Sequence, residues 1–162
     1  MRQMRVFLAA LAVLALAATA GAFFVAPLKL ISAPSPFAGC TIGATGTPGE
    51  TLYTNAVEEP WVDINPTKPA NLIAVFQQDR WSNGGAHGLA TSVSHNGGAT
   101  WSETFAHFSL CAGGTAANGG DFERSSDPWV SFSPNGDAYQ ISLSVSFSTG
   151  ENGILVSKSG DG

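Results

Sequence analysis

The sequence predicts an all-β fold assembled from repeated four-stranded antiparallel units, and three observations carry that expectation. Short runs of β-formers alternate with Gly-, Pro- and Asn-rich turns from Glu58 onward. An acidic-Pro-Trp-Val start occurs twice, at Glu59-Pro60-Trp61-Val62 and at Asp127-Pro128-Trp129-Val130. A turn that opens at Ser94 and is closed by Trp101 begins again at Ser159, preceded by Val156-Ser157-Lys158 as the first is preceded by Thr91-Ser92-Val93. Strands with turn signals at this spacing describe antiparallel sheet, and a recurring unit of this length describes a repeat architecture.

The 162 residues are 44% hydrophobic and 12% charged, with 19 Gly and 9 Pro, a turn-rich globular composition. Seven basic residues stand against twelve acidic ones, a net charge of −5, with no basic run after the first five residues. That balance argues against a nucleic-acid partner.

Residues 1–22 read as an export signal: Arg2 and Arg5, an apolar run from Val6 to Ala18, then small residues suited to cleavage after Ala20 or Ala22. The rival reading is an uncleaved anchor, since small and apolar residues continue to Leu28. The expected location is therefore secreted, or cell-surface if the anchor is kept, and a membrane is a partner only in that second case. In an oxidising compartment Cys40 and Cys111, the only two cysteines, are expected to pair. In the chain-entropy model such a loop contributes on the order of 4 kcal/mol. A lipidated Cys40 is the alternative, weakened by the intervening Pro34 and Pro36.

Residues 23–57 form a Pro/Gly-rich linker and lead-in with no helix expected. Strands are expected at Trp61 to Asn65, Leu72 to Gln77, Gly88 to Val93 and Thr100 to Phe108, with a loop from Asp79 to His87. The second unit follows: Asp127 to Pro134 matches Glu59 to Pro66, Ala138 to Val145 matches Leu72 to Gln77, and Leu155 to Ser159 matches Leu89 to Ser94. A four-stranded unit repeated with one hairpin motif at a fixed place is the signature of a β-propeller. Residues 58–162 hold one blade and most of a second, of a ring expected to have six. The chain is thus expected to be an amino-terminal piece of a longer protein; as a complete product it would expose a strand edge and aggregate or dimerise.

Within the turn, Asn96-Gly97 is a two-residue hairpin signal, Ser94 and Asn96 can bond turn backbone, and Trp101 can plug the turn from below. Taken alone it reads as an ordinary Asn-Gly hairpin; the copy at Ser159 and Asp161 makes it a repeat motif. Ser94, Gly98, Thr100 and Trp101, with Asn96 where Asp is usual, resemble the Asp box of the sialidase (neuraminidase)-like repeat proteins. The wider block from Glu59 to Gly85 is also similar to exported bacterial sialidase-like proteins.

The resemblance implies a propeller with the Asp-box turn on the inactive face and the loops around 79–87, 109–126 and the lead-in on the functional one. Both arginines beyond the signal, Arg80 and Arg124, fall there, each after a carboxylate, Asp79 and Glu123. It further implies an exo-α-sialidase type of glycoside hydrolysis on a glycan or glycoconjugate, a sialoside first of all. Arginine would bind the sugar carboxylate bidentately, a carboxylic acid would protonate the leaving oxygen, and a tyrosine would be the nucleophile. The candidates are Asp79 or Asp127 as acid, and Arg80, Arg124, Glu123 and the stacking Trp81 as substrate contacts. No Phe-Arg-Ile-Pro-like segment is present, and neither Tyr53 nor Tyr139 has a recognisable nucleophile context.

Each candidate has a plainer reading. Asp79-Arg80 and Glu123-Arg124 read as exposed pairs steadying loops, Glu59 and Asp127 as residues fixing strand entry, and Trp81 as a loop anchor. His87 has no second histidine in its loop, so no metal and no cofactor are expected. The alternative function is a non-catalytic extracellular Asp-box propeller that binds glycans or proteins.

Overall fold

The computed structural model describes residues 26–161, and the expected export signal lies outside them. The chain divides into two units, Met1–Leu30 and Ile31–Gly162. Of the first, residues 26–30 are described and carry no regular structure. The second is all-β, seven antiparallel strands in one open sheet with a single 3-10 turn at Leu110–Ala112.

The strands are β1 Leu52–Ile64, β2 Leu72–Trp81, β3 Ala86–Ser94, β4 Ser102–Phe105, β5 Arg124–Phe132, β6 Ala138–Ser146 and β7 Glu151–Ser159. The order is β1-β2-β3-β5-β6-β7, with β4 also on β3. Strand β4 pairs with Ala90 to Val93, whereas β5 meets β3 only at Ala86↔Ser125. That one bridge divides the sheet into β1–β4 and β5–β7. The two parts pack face to face, burying Ile73, Val75 and Val93 against Val130, Ala138 and the partly buried Phe132. Thr91 Oγ1 donates to Gln140 Oε1 at 3.0 Å across the same seam.

The repeat is visible in the pairing. Trp61↔Val75 in β1/β2 corresponds to Trp129↔Ile141 in β5/β6, and each pair follows a register break, between Glu58 and Trp61 and between Ser126 and Trp129. Glu59 and Asp127 sit in those breaks with φ of 53° and 54°. These are bulges, which suit the following prolines because a bulged residue leaves the ladder and needs no N–H donor. A left-handed non-glycine residue costs roughly 1–2 kcal/mol, so the surrounding ladder holds both in place. Glu59 and Asp127 are not the strand-entry residues expected: both lie mid-strand. For the same reason β1 begins at Leu52 rather than Trp61, Glu58-Glu59-Pro60 bending the strand without ending it.

The Ser94–Trp101 turn is longer than a two-residue hairpin. Seven residues separate β3 from β4, and Gly97 and Gly98 take the positive φ of 70° and 87° instead of Asn96 and Gly97. The fastenings are those expected. Ser94 Oγ accepts from Gly98 N at 2.9 Å, Asn96 Oδ1 accepts from Thr100 N at 2.9 Å, and Trp101 Nε1 donates to Gly98 O at 3.0 Å. The second copy begins alike: Ser159 Oγ donates to Asp161 Oδ1 at 2.8 Å, as Ser94 Oγ does to Asn96 Oδ1 at 3.1 Å. This turn shares one end of the sheet with 65–71 and 133–137, through Gly97 N to Ala70 O at 2.8 Å and Asn65 Nδ2 to Gly136 O at 3.2 Å. The connections 82–85, 106–123 and 147–150 lie at the other end.

Residues 31–51 form no strand or helix, yet they pack on the sheet. Ser92 Oγ donates to Ile31 O at 2.6 Å, and the buried Phe37 ring fills the space above Gly88, where any added Cβ would lie 2.6 Å from it. Phe37 meets Phe105 edge-on at 5.1 Å.

Candidate functional site

The sequence candidates separate into a buried clamp, a buried polar cluster and an exposed edge. Arg124 opens β5 and is fully buried. Its Nε donates to Gly43 O at 2.7 Å, Nη1 donates to Asn83 Oδ1 at 2.8 Å and to Gly84 O, and Nη2 pairs with Glu50 Oε1. The guanidinium lies over the rings of Trp81 at 4.6 Å and Phe147 at 4.7 Å. Arg124 thus joins residues 43–50, the β2–β3 turn and the start of β5. Trp81 is buried with that guanidinium on its face, and Glu123 accepts from Phe147 N at 2.8 Å and from Ser148.

Glu50 answers this environment. Burial alone would raise its pKa, but Thr45 N, Arg124, Asn83 and the Thr45 hydroxyl stabilise the carboxylate and bring it from 4.5 down to about 2. A depressed folded-state pKa contributes stability that is present above the unfolded value and lost as pH falls through the folded one. The stability gap between the native chain and Glu50→Gln is therefore expected to be constant above pH 4.5 and to shrink between pH 4.5 and about 2. Urea unfolding midpoints of both proteins across that range measure it; a gap unchanged at the acid end would contradict the assignment.

The second cluster surrounds His87, which belongs to β3 and not to a loop. Asp79, with φ of 62°, lies on the last turnless stretch of β2 opposite Asn55 in β1, with φ of 64°. Asp79 Oδ2 accepts from Ser35 Oγ at 2.6 Å, Oδ1 accepts from Asn55 N at 2.8 Å, and Oδ2 faces His87 Nδ1 at 3.4 Å. Both residues are 1% exposed. Burial opposes the Asp79 charge, yet the bonds from Ser35, Asn55 and Gln78 outweigh it and lower the pKa. Burial also lowers the His87 pKa, against the pull of Asp79 and of the Ile42 backbone. Cys40 and Cys111 form the expected disulfide beside this cluster.

The exposed edge runs along β1 and β5. Arg80, in β2, donates from Nε to Glu58 Oε2 at 2.6 Å and from Nη1 to Gly85 O at 3.0 Å. Glu59 accepts from Gln77 Nε2 and from Asp127 N at 3.3 Å, and Ser126 Oγ donates to Asp127 Oδ1 at 2.9 Å. Below the bulges Trp61 and Trp129 stack at 3.5 Å between centroids, 39% and 47% exposed. Asp63 Oδ2 accepts from Phe132 N at 2.8 Å, tying the two strands together.

No protein-family model, curated protein or solved structure matches this chain.

The sequence candidates do not form one constellation. Asp79, Arg124 and Trp81 are interior, Arg80 is half-buried and Asp127 is exposed. The expected neighbour pairs are also rearranged: Arg80 pairs with Glu58 rather than Asp79, and Arg124 with Glu50 rather than Glu123. Their partners come instead from β1 and from residues 43–50, segments distant in sequence that pack against each arginine. Sequence reasoning missed Glu50 as the partner of Arg124 and the Trp61–Trp129 stack. The second was signalled, since both tryptophans hold the same place in the repeat. Among the described residues no helix is long and apolar enough to cross a membrane.

Proposed function

We propose that the chain forms part of an extracellular Asp-box β-propeller of sialidase-like type, and that it binds glycans along its β1/β5 edge. The propeller reading is supported by two sub-sheets of matching strand order, packed face to face and joined by one bridge, with the Asp-box turns at one end. The observation that carries the binding reading is the edge itself: the exposed Trp61–Trp129 stack lies on the same two strands as Glu59 and Asp127, with the Arg80–Glu58 pair further along. Aromatic faces beside a few polar groups are the surface a sugar ring meets, apolar on its C–H face and hydrogen-bonding at its rim.

Sialoside hydrolysis is the second reading, favoured by an exposed Asp127 and by an Arg80 that is only half-buried. Arg80 would take the sugar carboxylate and Asp127 would be the acid. Arg124 and Asp79 drop out of this reading as substrate contacts, because their polar atoms are committed inside the protein.

A glycan array on the exported chain, followed by Trp129→Ala, tests binding; Trp129 is half exposed and its loss is expected to weaken the best ligand at least tenfold. A fluorogenic sialoside assay separates the two readings, turnover lost in Asp127→Asn supporting hydrolysis. A blank array with a folded chain rejects binding.

A further inference from the structure

We propose that reduction of the Cys40–Cys111 disulfide opens a binding site for a thiophilic divalent cation, of which Zn2+ fits best, held by both sulfurs and His87. The two Sγ atoms and a ring nitrogen of His87 all lie within 4.8 Å of one another. His87 is 1% exposed, and its ring nitrogens meet only the Asp79 carboxylate and the Ile42 backbone, in contacts too long or too bent to be full hydrogen bonds, an arrangement a buried polar group does not ordinarily keep. A metal ion would remove it.

The surroundings are those a zinc ligand needs. Two thiolates and one imidazole are borderline-soft donors, and with a water they complete a tetrahedron. Nδ1 of His87 faces Asp79 Oδ2 at 3.4 Å, so the proposed ligand is Nε2. Asp79 is itself held by Ser35 and Asn55, so a carboxylate already stands where the relay that orients metal-bound imidazoles would form. Cys40 and Cys111 are half-buried, which gives reductant and cation a way in. Their Cα atoms are 5.7 Å apart, so two thiolates can share one ion with little backbone movement.

The chemistry balances with a dithiol as reductant. Two electrons cleave the S–S bond, the dithiol closes to its own disulfide, and its two protons pass to Cys40 and Cys111. Zn2+ then displaces both protons to solvent as it binds.

The test uses the chain reduced by a dithiol, desalted anaerobically and titrated with Co2+. The reduced protein is expected to develop sulfur-to-cobalt charge transfer and tetrahedral visible bands at one ion per chain, reversed by added Zn2+. The oxidised protein should show neither. Asp79→Asn is expected to weaken binding about 10–100-fold through His87, and His87→Gln by at least as much. X-ray absorption on the zinc-loaded reduced native chain keeps the proposal falsifiable if either variant misfolds: two sulfurs at about 2.3 Å with nitrogen or oxygen at about 2.0 Å are expected. Reduced protein without thiolate bands, a zinc shell without two sulfurs, or undiminished affinity in folded His87→Gln would each overturn the site.

Discussion

Arg124→Met is expected to lower the unfolding free energy by about 3–5 kcal/mol, the loss typical of breaking a buried ion pair by removing one partner. The side chain is fully buried, and its removal strands the Glu50 carboxylate, itself only 6% exposed, as well as the Asn83, Gly84 and Gly43 acceptors. Three segments far apart in sequence then lose their common tie. Arg124→Lys restores charge but not the planar fork that reaches several acceptors at once, so it should recover only part of the loss. Arg124→Met combined with Glu50→Leu should be less destabilised than the sum of the single variants, because removing both partners leaves no uncompensated charge. Urea denaturation with the disulfide intact measures all four. A loss under about 1 kcal/mol for Arg124→Met would place it with exposed ion pairs and disprove the clamp.

Gly120→Ala should be more damaging still, abolishing the ordered 106–123 segment with a loss above about 4 kcal/mol, a range reserved for severe steric or burial defects. A Cβ at Gly120 would lie 1.9 Å from His107 O, and one at Gly114 would lie 1.8 Å from Gly120 O. The obstacle in both cases is backbone, which cannot rotate aside. Gly119 is the control. It has φ of 75° but open space around the added carbon, so Gly119→Ala should cost only roughly 1–2 kcal/mol of left-handed strain. Limited proteolysis of the segment together with near-ultraviolet circular dichroism distinguishes the two variants, and equal resistance would refute the packing argument.

The all-β class, the pairing of equivalent strands and the Cys40–Cys111 bridge were legible because each rests on local or repeated signals: alternation, turn residues, an even cysteine count. The fastenings of the Ser94–Trp101 turn were legible for the same reason, Ser94, Asn96 and Trp101 acting within eight residues of chain. What escaped was long-range. Glu50 lies 74 residues from Arg124 and sits in a stretch whose Pro and Gly content reads as linker, yet the contacts of Ser35, Phe37 and Glu50 make that stretch part of the packed sheet. The extent of β1 escaped because Glu-Glu-Pro resembles a break, and only a neighbouring strand can turn such a break into a bulge. Burial escaped too: Asp79 and Arg124 are charged and flanked by turn residues, which suggests solvent, but their partners come from other segments.

The paired bulges at Glu59 and Asp127 have a consequence for how this protein can vary. Each bulge resets the count of inward and outward side chains, so the halves of β1 and β5 on either side of it answer to separate demands. Below it, Trp61, Asp63 and Val130 keep the seam between sub-sheets. Above it, Glu58 and Ser126 can be exchanged, or a residue gained, without turning the lower half inside out. The part of the edge above the bulges is thereby free to diversify while the tryptophans and the seam beneath them stay in register.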